Sequence, residues 1–245
     1  MIQLKAVAKP TELTDEIVQQ LTADYKQTDK AVWQKGYIKD ALLAMSSNKC
    51  CFCECRLGEE SKYLEVEHFH PKSLYPNEVL IWENLLPICK RCNGQKSDHD
   101  TKKETIIHPV RDKPKEHLSL KSYRFRGKTE LGKKTISVTS LNDNSQKIVS
   151  IRFDIGNKII ESLEELLELT INYGSKPSTP SKNKIVNKLR VIMQEGTKKS
   201  SYSATAATIL LNEAEYDEIK KLFKQQKLWT TEFDELEQQV HYCAL

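Results

Sequence analysis

The spacing of apolar residues predicts two helices in the N-terminal part of the chain. Ile17, Leu21 and Tyr25 recur at helical intervals, and Thr14 stands where a helix N-cap is expected. A second helical period runs through Trp33–Met45 and ends at the polar segment SSNK. Neither segment carries a chemical motif, so we expect both helices to pack against the segment that follows.

The pattern then changes to strand, loop, strand and helix. In the segment YLEVEH the side chains alternate as they do in a strand, and Pro71 favours a break shortly after it. NLLPI predicts a second short strand, which leads directly into Cys89. CNGQKSD predicts the start of a helix, with Asn93 at or near its N-terminus.

Beyond Asp100 the sequence predicts short strands followed by helices. HLSLKSYRFRGK and KKTISVTSLND alternate apolar and polar residues and are rich in strand-forming residue types. A long helix is predicted from about Ser145 to Tyr173, and the Pro- and Ser-rich residues 174–183 predict a connector. Three further helices are predicted, around Leu189, Ile219 and Phe233.

Composition and charge narrow the class of protein. The chain of 245 residues is 38% hydrophobic and 29% charged. It shows neither a signal-peptide pattern nor an apolar run long enough to span a membrane, so we expect a cytoplasmic protein. Residues 89–134 carry fourteen Lys and Arg against six Asp and Glu, a net +8 within a chain of net charge +4. This stretch suits the phosphate backbone of a nucleic acid, and a solvated lysine-rich loop is the alternative.

The cysteines predict a structural zinc site. Six of the seven lie between residues 50 and 92, and in a reducing compartment such clustering favours a metal over disulfides. Two C-x-x-C pairs have the spacing of a closed zinc site: Cys50 with Cys53, and Cys89 with Cys92. Cys51 and Cys55 also have an allowed spacing. We favour the first assignment because its spacing matches the second pair, which leaves Cys51 and Cys55 as small or exposed residues.

The residues around these pairs resemble the HNH nuclease family. The resemblance rests on CxFCE at 50–54, VEHFxPxS at 66–73, NL at 84–85 and CxxCNxxK at 89–96. It implies an α+β protein with a ββα-metal (HNH) core, braced by a Cys₄ zinc site. Flanking N-terminal helices would occupy residues 1–47, the nuclease module residues 48–112, and short strands with a mostly helical C-terminal region residues 113–245.

More loosely, three flanking segments resemble the PtuB family, the HNH proteins of Septu-type antiphage defence, and HNH proteins encoded beside retrons. These segments are LKAVAKPTEL, HPVRDKPKEHL and TSLND. The resemblance implies a role in antiviral defence together with an ATPase partner of the PtuA type. The chain itself has no glycine motif for binding ATP. Its helical C-terminal half also lacks a base-reading motif, so the choice of target would come from such a partner.

The resemblance also implies roles for individual residues. His68 is the expected general base that activates water, and Asn84 the residue that holds the loop and helps to orient this histidine. Glu67, where the family usually has Asp, would bind a divalent ion together with Asn93. The expected contacts to nucleic acid are Lys72, Lys90, Arg91 and Lys96.

The chemistry of these residues agrees with phosphodiester hydrolysis. A histidine can accept a proton at neutral pH, and one carboxylate plus one amide oxygen suits Mg²⁺ or Mn²⁺. Asn93 in place of the histidine found in other family members also favours these hard ions.

His70 is either a further contact to the metal or substrate, or a loop histidine. The expected substrate is DNA, with RNA as the alternative. A zinc-braced binding module without catalysis is the competing hypothesis, but it would not need His68, Glu67 and Asn93 together.

Overall fold

The computed structural model describes residues 1–58, 63–145 and 147–245, which divide into two compact units. Unit 1 comprises Met1, Gln3–Ser119 and Phe125–Leu141, and unit 2 comprises Ile2, Leu120–Arg124 and Asn142–Leu245. The sequence analysis predicts three segments, residues 1–47, 48–112 and 113–245, whereas the structure divides into two units. The N-terminal helices and the metal module, which the predicted division separates, lie in the same unit.

Unit 1 begins with helices α1 (Asp15–Thr28) and α2 (Gly36–Ser46). As predicted, Thr14 caps α1, because its Oγ1 accepts a hydrogen bond from the backbone N–H of Ile17 at 3.3 Å. Both helices bury their apolar faces in one core with the strands that follow, which confirms the expected packing. That core contains Leu13, Tyr25, Val32, Trp33, Ile38, Leu42, Val66, Val79, Leu80, Trp82 and Leu85.

The centre of unit 1 is the strand, strand and helix arrangement that the sequence predicts. Strand β1 (Leu64–His68) pairs antiparallel with β2 (Leu85–Cys89), in a register that places Glu67 opposite Leu86. The loop between the strands contains two 3₁₀ turns, Pro76–Glu78 and Trp82–Asn84. Helix α3 (Lys90–Lys96) follows β2 without a connecting loop.

The segment between α3 and Leu141 corrects one prediction. After α4 (Pro114–His117), the hairpin of β3 (Leu118–Lys121) and β4 (Arg124–Gly127) forms as expected, but KKTISVTSLND contributes to helix α5 (Glu130–Val138) and not to a strand. Thr129 caps this helix, and the hydroxyl groups of Thr135 and Thr139 donate to carbonyls one turn earlier, each at 2.7 Å. Local hydrogen bonds therefore override the strand preference of the β-branched residues.

The described residues of unit 2 form a bundle of five helices, built around the predicted long helix α6 (Ile148–Ser175). The other four are α7 (Thr179–Glu195), α8 (Ser203–Asn212), α9 (Ala214–Gln225) and α10 (Thr231–Cys243). Helix α6 packs on α7, α8 and α9, and α10 packs on α7 and α8.

Two details of unit 2 differ from the sequence prediction. The connector is much shorter than residues 174–183, because Ser178 and Ser181 form a capping box that starts α7 early. The sequence also predicted three helices after α6 and missed α8. Seven of the ten residues of α8 are buried, so it has no polar face whose period would have revealed it. Within the described ranges, no helix is long and apolar enough to cross a lipid bilayer.

Candidate functional site

The four predicted zinc ligands come together in unit 1. The sulfur atoms of Cys50, Cys53, Cys89 and Cys92 all lie within 4.8 Å of one another, and all four residues are buried. The Sγ atoms of Cys53 and Cys89 are 3.7 Å apart. Tetrahedral zinc with Zn–S bonds of about 2.3 Å places its sulfur ligands about 3.8 Å apart, so this geometry fits a closed zinc site.

Cys51 and Cys55 are buried beside this site, so of the two alternatives, small or exposed, the second does not apply. The backbone N–H of Cys51 donates to Pro87 O, and the carbonyl of Cys55 accepts from Cys50 N, each at 2.9 Å. The neighbouring sulfur of Cys50, followed by those of Cys53 and Cys89, raises the pKa of the Cys55 thiol.

The imidazole of His68 is buried and hydrogen-bonded to the loop between the strands. Its Nε2 lies 3.0 Å from the carbonyl oxygen of Val79. Because a carbonyl can only accept, Nε2 carries the proton, and the lone pair of Nδ1 accepts no hydrogen bond from any residue that the structure describes. The ring packs edge-on against Trp33, at 4.6 Å between centroids, and only 6% of the residue is exposed. Burial lowers the pKa of His68 to about 4, so the imidazole is neutral at pH 7.

Asn84 holds the loop that positions Val79. Its Oδ1 accepts from His70 N at 2.7 Å, and its Nδ2 donates to the carbonyls of His70 and Glu78, each at 3.1 Å. Glu78 immediately precedes Val79, whose carbonyl fixes the His68 ring. The connection from Asn84 to the histidine is therefore indirect and runs through the loop backbone.

His70 is a loop histidine in this structure. The Thr101 hydroxyl donates to Phe69 O at 2.8 Å, and Nδ1 of His70 lies 2.7 Å from the same hydroxyl oxygen. Since the hydroxyl proton is already used, His70 Nδ1 is the donor to Thr101. His70 is also not part of the lining of the pocket that contains His68.

His108 is a structurally important residue that sequence reasoning missed. It is buried, its Nδ1 accepts from the backbone N–H groups of Val110 and Arg111 at 3.2 and 3.3 Å, and its Nε2 donates to Glu83 O at 3.3 Å. Burial lowers its pKa to about 4. The signal in the sequence was the turn HPVRD, in which Asp112 accepts a hydrogen bond from His108 N.

Two pairs of residues join β1 to α3. Glu67 Oε1 lies 2.5 Å from Lys96 Nζ, and Lys96 also donates to His68 O at 3.1 Å. One pair further along, Asn93 Nδ2 donates to Glu65 Oε2 at 2.6 Å. Glu65 and Glu67, two positions apart, lie on one face of the strand, and Asn93 and Lys96, three positions apart, lie on the side of the helix that faces it. Burial raises the pKa of Glu67 to about 7, although Lys96 acts in the opposite direction.

A pocket of about 280 Å³ lies between these elements. Its lining brings together four of the predicted site residues, namely Glu67, His68, Lys72 and Asn93. The rest of the lining is Trp33, Gln34, Glu65, Val66, Pro71, Ser97 and Asp98.

The oxygen atoms in the pocket fit a hard divalent ion. Glu67 lines the pocket with its Oε1 paired to Lys96 Nζ, and in the described part of the chain no group donates to Asn93 Oδ1. Asn93 therefore presents an oxygen without a hydrogen-bond donor in the same pocket as the Glu67 carboxylate. Carboxylate and amide oxygens are ligands that Mg²⁺ accepts.

The predicted contacts to nucleic acid fall into two groups. Lys72 lines the pocket and Lys90 is exposed, so both are accessible to a phosphate. Lys96 is 2% exposed and occupied by Glu67, which is incompatible with direct contact to nucleic acid in this arrangement. The Arg91 guanidinium is partly buried and donates to Ser140 O and to Cys92 Sγ, so it braces the zinc site.

Comparison with known proteins identifies the family. The family model described as HNH endonuclease matches residues 50–99. The chain is 44% identical over 238 residues to the Septu protein PtuB of Bacillus thuringiensis. The matched region covers 96% of this chain and 92% of that protein. The chain belongs to the PtuB family.

Two further relatives match over shorter stretches. A second PtuB family member, from Bacillus mycoides (strain KBAB4), is 27% identical over 172 residues, covering 55% of this chain and 57% of that protein. The protein ea31 of Escherichia phage lambda is 35% identical over 77 residues, covering 30% of this chain and 25% of that protein. No solved structure matches the chain.

Proposed function

We propose that this PtuB family protein is a metal-dependent endonuclease that hydrolyses phosphodiester bonds of DNA as part of a Septu-type antiphage defence. The observation that best supports this proposal is the tautomer of His68. Its Nε2 proton is committed to Val79 O, so the nitrogen left free is a base, and Glu67 and Asn93 line the same pocket. A binding module without catalysis has no need for this combination.

In the proposed reaction His68 Nδ1 takes a proton from the attacking water. Val79 O keeps the ring oriented and stabilises the positive charge that develops on it, while Trp33 keeps bulk water from that face of the ring. Glu67 and Asn93 would hold a divalent ion, Mg²⁺ or Mn²⁺, which supplies charge neutralisation at the phosphoryl group. The ammonium group of Lys72, 5.5 Å above the Trp33 ring, is placed to attract the phosphate.

The partner we propose is an ATPase of the PtuA type. Membership of the PtuB family supports this choice, and so does the sequence, which lacks a glycine motif for nucleotide binding and a base-reading motif. The ATPase would supply the control of cleavage or the choice of target. The basic stretch 89–134 would contribute affinity for the phosphate backbone without selecting a sequence.

Cleavage assays with a matched histidine control test this proposal. Plasmid DNA and tRNA are incubated with wild type, His68→Ala or His241→Ala, with and without Mg²⁺ or Mn²⁺, and with and without the ATPase. His241 is an exposed histidine of α10 and serves as the control. We expect His68→Ala to lose at least about a hundredfold in rate, as expected for removal of a general base, and His241→Ala to match wild type.

The outcomes separate the competing hypotheses. Equal cleavage by His68→Ala and wild type would contradict the proposed mechanism. Tight nucleic-acid binding without cleavage under any condition would favour the zinc-braced binding module. Cleavage of tRNA but not of plasmid would retain the mechanism and replace DNA by RNA as the substrate.

A further inference from the structure

Glu65 is a pocket residue to which neither the HNH resemblance nor the general-base mechanism assigns a role. It lies two positions before Glu67 on β1, on the same face of the strand, and its Oε2 accepts from Asn93 Nδ2 at 2.6 Å. Asn93 is the proposed amide ligand of the divalent ion. Glu65 therefore contacts the proposed ligand directly and lines the pocket beside it.

The chemistry of this hydrogen bond determines which way the Asn93 amide faces. An ionised carboxylate can only accept, so the atom that faces Glu65 must be the NH₂ group. Only the amide oxygen can bind a cation. With Nδ2 directed at Glu65, Oδ1 is the amide atom left for the ion, and among the described residues it accepts no hydrogen bond.

Without Glu65 no hydrogen bond would fix the orientation of the Asn93 amide, since Nδ2 has no second acceptor among the described residues. An asparagine side chain has three staggered χ1 positions and two amide orientations, or about six states, of which one presents Oδ1 correctly. Groups that orient metal ligands in this way commonly change metal affinity by about tenfold or more.

We propose that Glu65 is a positioning residue that turns the oxygen of Asn93 toward the divalent ion. This inference rests on the metal site of the proposed function. Glu65 acts through its hydrogen bond to Asn93 and not as a ligand. An aspartate at position 93 carries two equivalent oxygens in place of one oxygen and one NH₂ group, so it needs no such orientation. The contribution of Glu65 to the affinity for the ion should therefore disappear in Asn93→Asp.

A double-mutant cycle on the intact, zinc-loaded chain tests the proposal. The affinity for Mn²⁺ is measured by electron paramagnetic resonance for wild type, Glu65→Ala, Asn93→Asp and the double variant. We expect Glu65→Ala to weaken Mn²⁺ binding about six- to tenfold in the wild-type background and less than about twofold in the Asn93→Asp background. Glu83→Ala, which removes an exposed glutamate outside the pocket, is the matched control and should not change the affinity.

A second measurement needs no metal. In the ¹⁵N–¹H spectrum of the intact chain, the side-chain amide of Asn93 is identified by its loss in Asn93→Asp. We expect one of its protons to be shifted downfield by the carboxylate and to return toward ordinary values in Glu65→Ala. Zinc content is measured for each variant, and Glu65→Thr replaces the alanine variant if the latter loses its zinc.

Equal losses of Mn²⁺ affinity in both backgrounds would show that Glu65 acts by its charge or as a ligand, and would overturn the proposal. An unchanged affinity in Glu65→Ala, or an unchanged amide spectrum, would overturn it as well. Failure of the proposed function is recognised separately. If Glu67→Gln and Asn93→Ala bind Mn²⁺ as wild type does, the ion site itself is misplaced, whatever the spectrum shows for Glu65 and Asn93.

Discussion

Lys96→Met tests whether the buried carboxylate of Glu67 depends on its lysine partner. The two side chains are almost completely buried, at 0% and 4% exposure, and their charged atoms are 2.5 Å apart. Methionine retains most of the length and apolar surface of lysine but not its charge. The substitution therefore leaves Glu67 buried without that cation, while the packing of the end of α3 changes little.

The expected loss of stability depends on pH. Glu67 has a pKa of about 7 in the folded chain, above its ordinary value of 4.5, so its ionisation opposes folding. The penalty is absent below pH 4.5 and increases as the pH rises toward 7. Removing Lys96 raises the pKa of Glu67 further, because the lysine acts in the opposite direction to burial. In the variant the penalty therefore continues to grow above pH 7, where in wild type it has levelled off.

The magnitude follows from the free energy of protonation, about 1.4 kcal/mol per pH unit. Between pH 7 and pH 9 the variant should therefore lose up to about 3 kcal/mol relative to wild type, which is close to the lower end of the range for breaking a buried ion pair. Urea denaturation followed by circular dichroism measures this difference at several pH values, in buffer free of Mg²⁺ and Mn²⁺. Lys90→Met, an exposed lysine of the same helix, is the control and should show no such trend.

A double variant strengthens the test. In Glu67→Gln combined with Lys96→Met both charges are absent, so most of the loss at pH 9 should be recovered. A loss in Lys96→Met that is the same at pH 6 and pH 9 would refute the reasoning, because the effect would then come from packing. Failure of the double variant to recover stability would lead to the same conclusion.

Three further predictions concern the zinc site, the His108 turn and the Asn84 loop. Cys89→Ser should lose zinc and unfold unit 1, whereas Cys55→Ser should keep the metal; zinc content and circular dichroism distinguish the two. Because its folded pKa is lowered to about 4, His108 contributes stability above pH 6.5 that is lost as the pH falls, by about 2 kcal/mol at pH 5. His108→Gln should reduce this pH dependence in denaturation curves, and an unchanged slope would contradict the assignment. Asn84→Ala removes three hydrogen bonds, so we expect a loss of about 2–4 kcal/mol and slower cleavage with zinc retained.

The sequence was a good guide wherever a pattern reflects local geometry. Thr14 caps α1 as predicted, the alternation in YLEVEH is that of β1, and the two C-x-x-C pairs bring four sulfur atoms together. Each of these features depends on residues close to one another in the chain or on a spacing that one ion requires. Tertiary contacts had little opportunity to change them.

Several of the wrong predictions concern residues whose surroundings include contacts from distant parts of the chain. Helix α5 carries β-branched residues typical of a strand, yet Thr135 bonds both within the helix and to the backbone N–H of Ile107. Lys96 looked like a phosphate contact and is instead the buried partner of Glu67. Glu65 became relevant only when the register of β1 against α3 placed it beside Asn93.

The position of α3 links the structural metal to the candidate active site. This helix has seven residues, too few to be stable alone, and it contains both Asn93 and Lys96. It is anchored at its start by two zinc ligands, since Cys89 is its N-cap and Cys92 lies in its first turn. Zinc bound by these cysteines would therefore hold in place the helix whose other side chains contact Glu65 and Glu67. Loss of zinc should consequently remove the binding of the divalent ion, even though no thiolate belongs to the pocket.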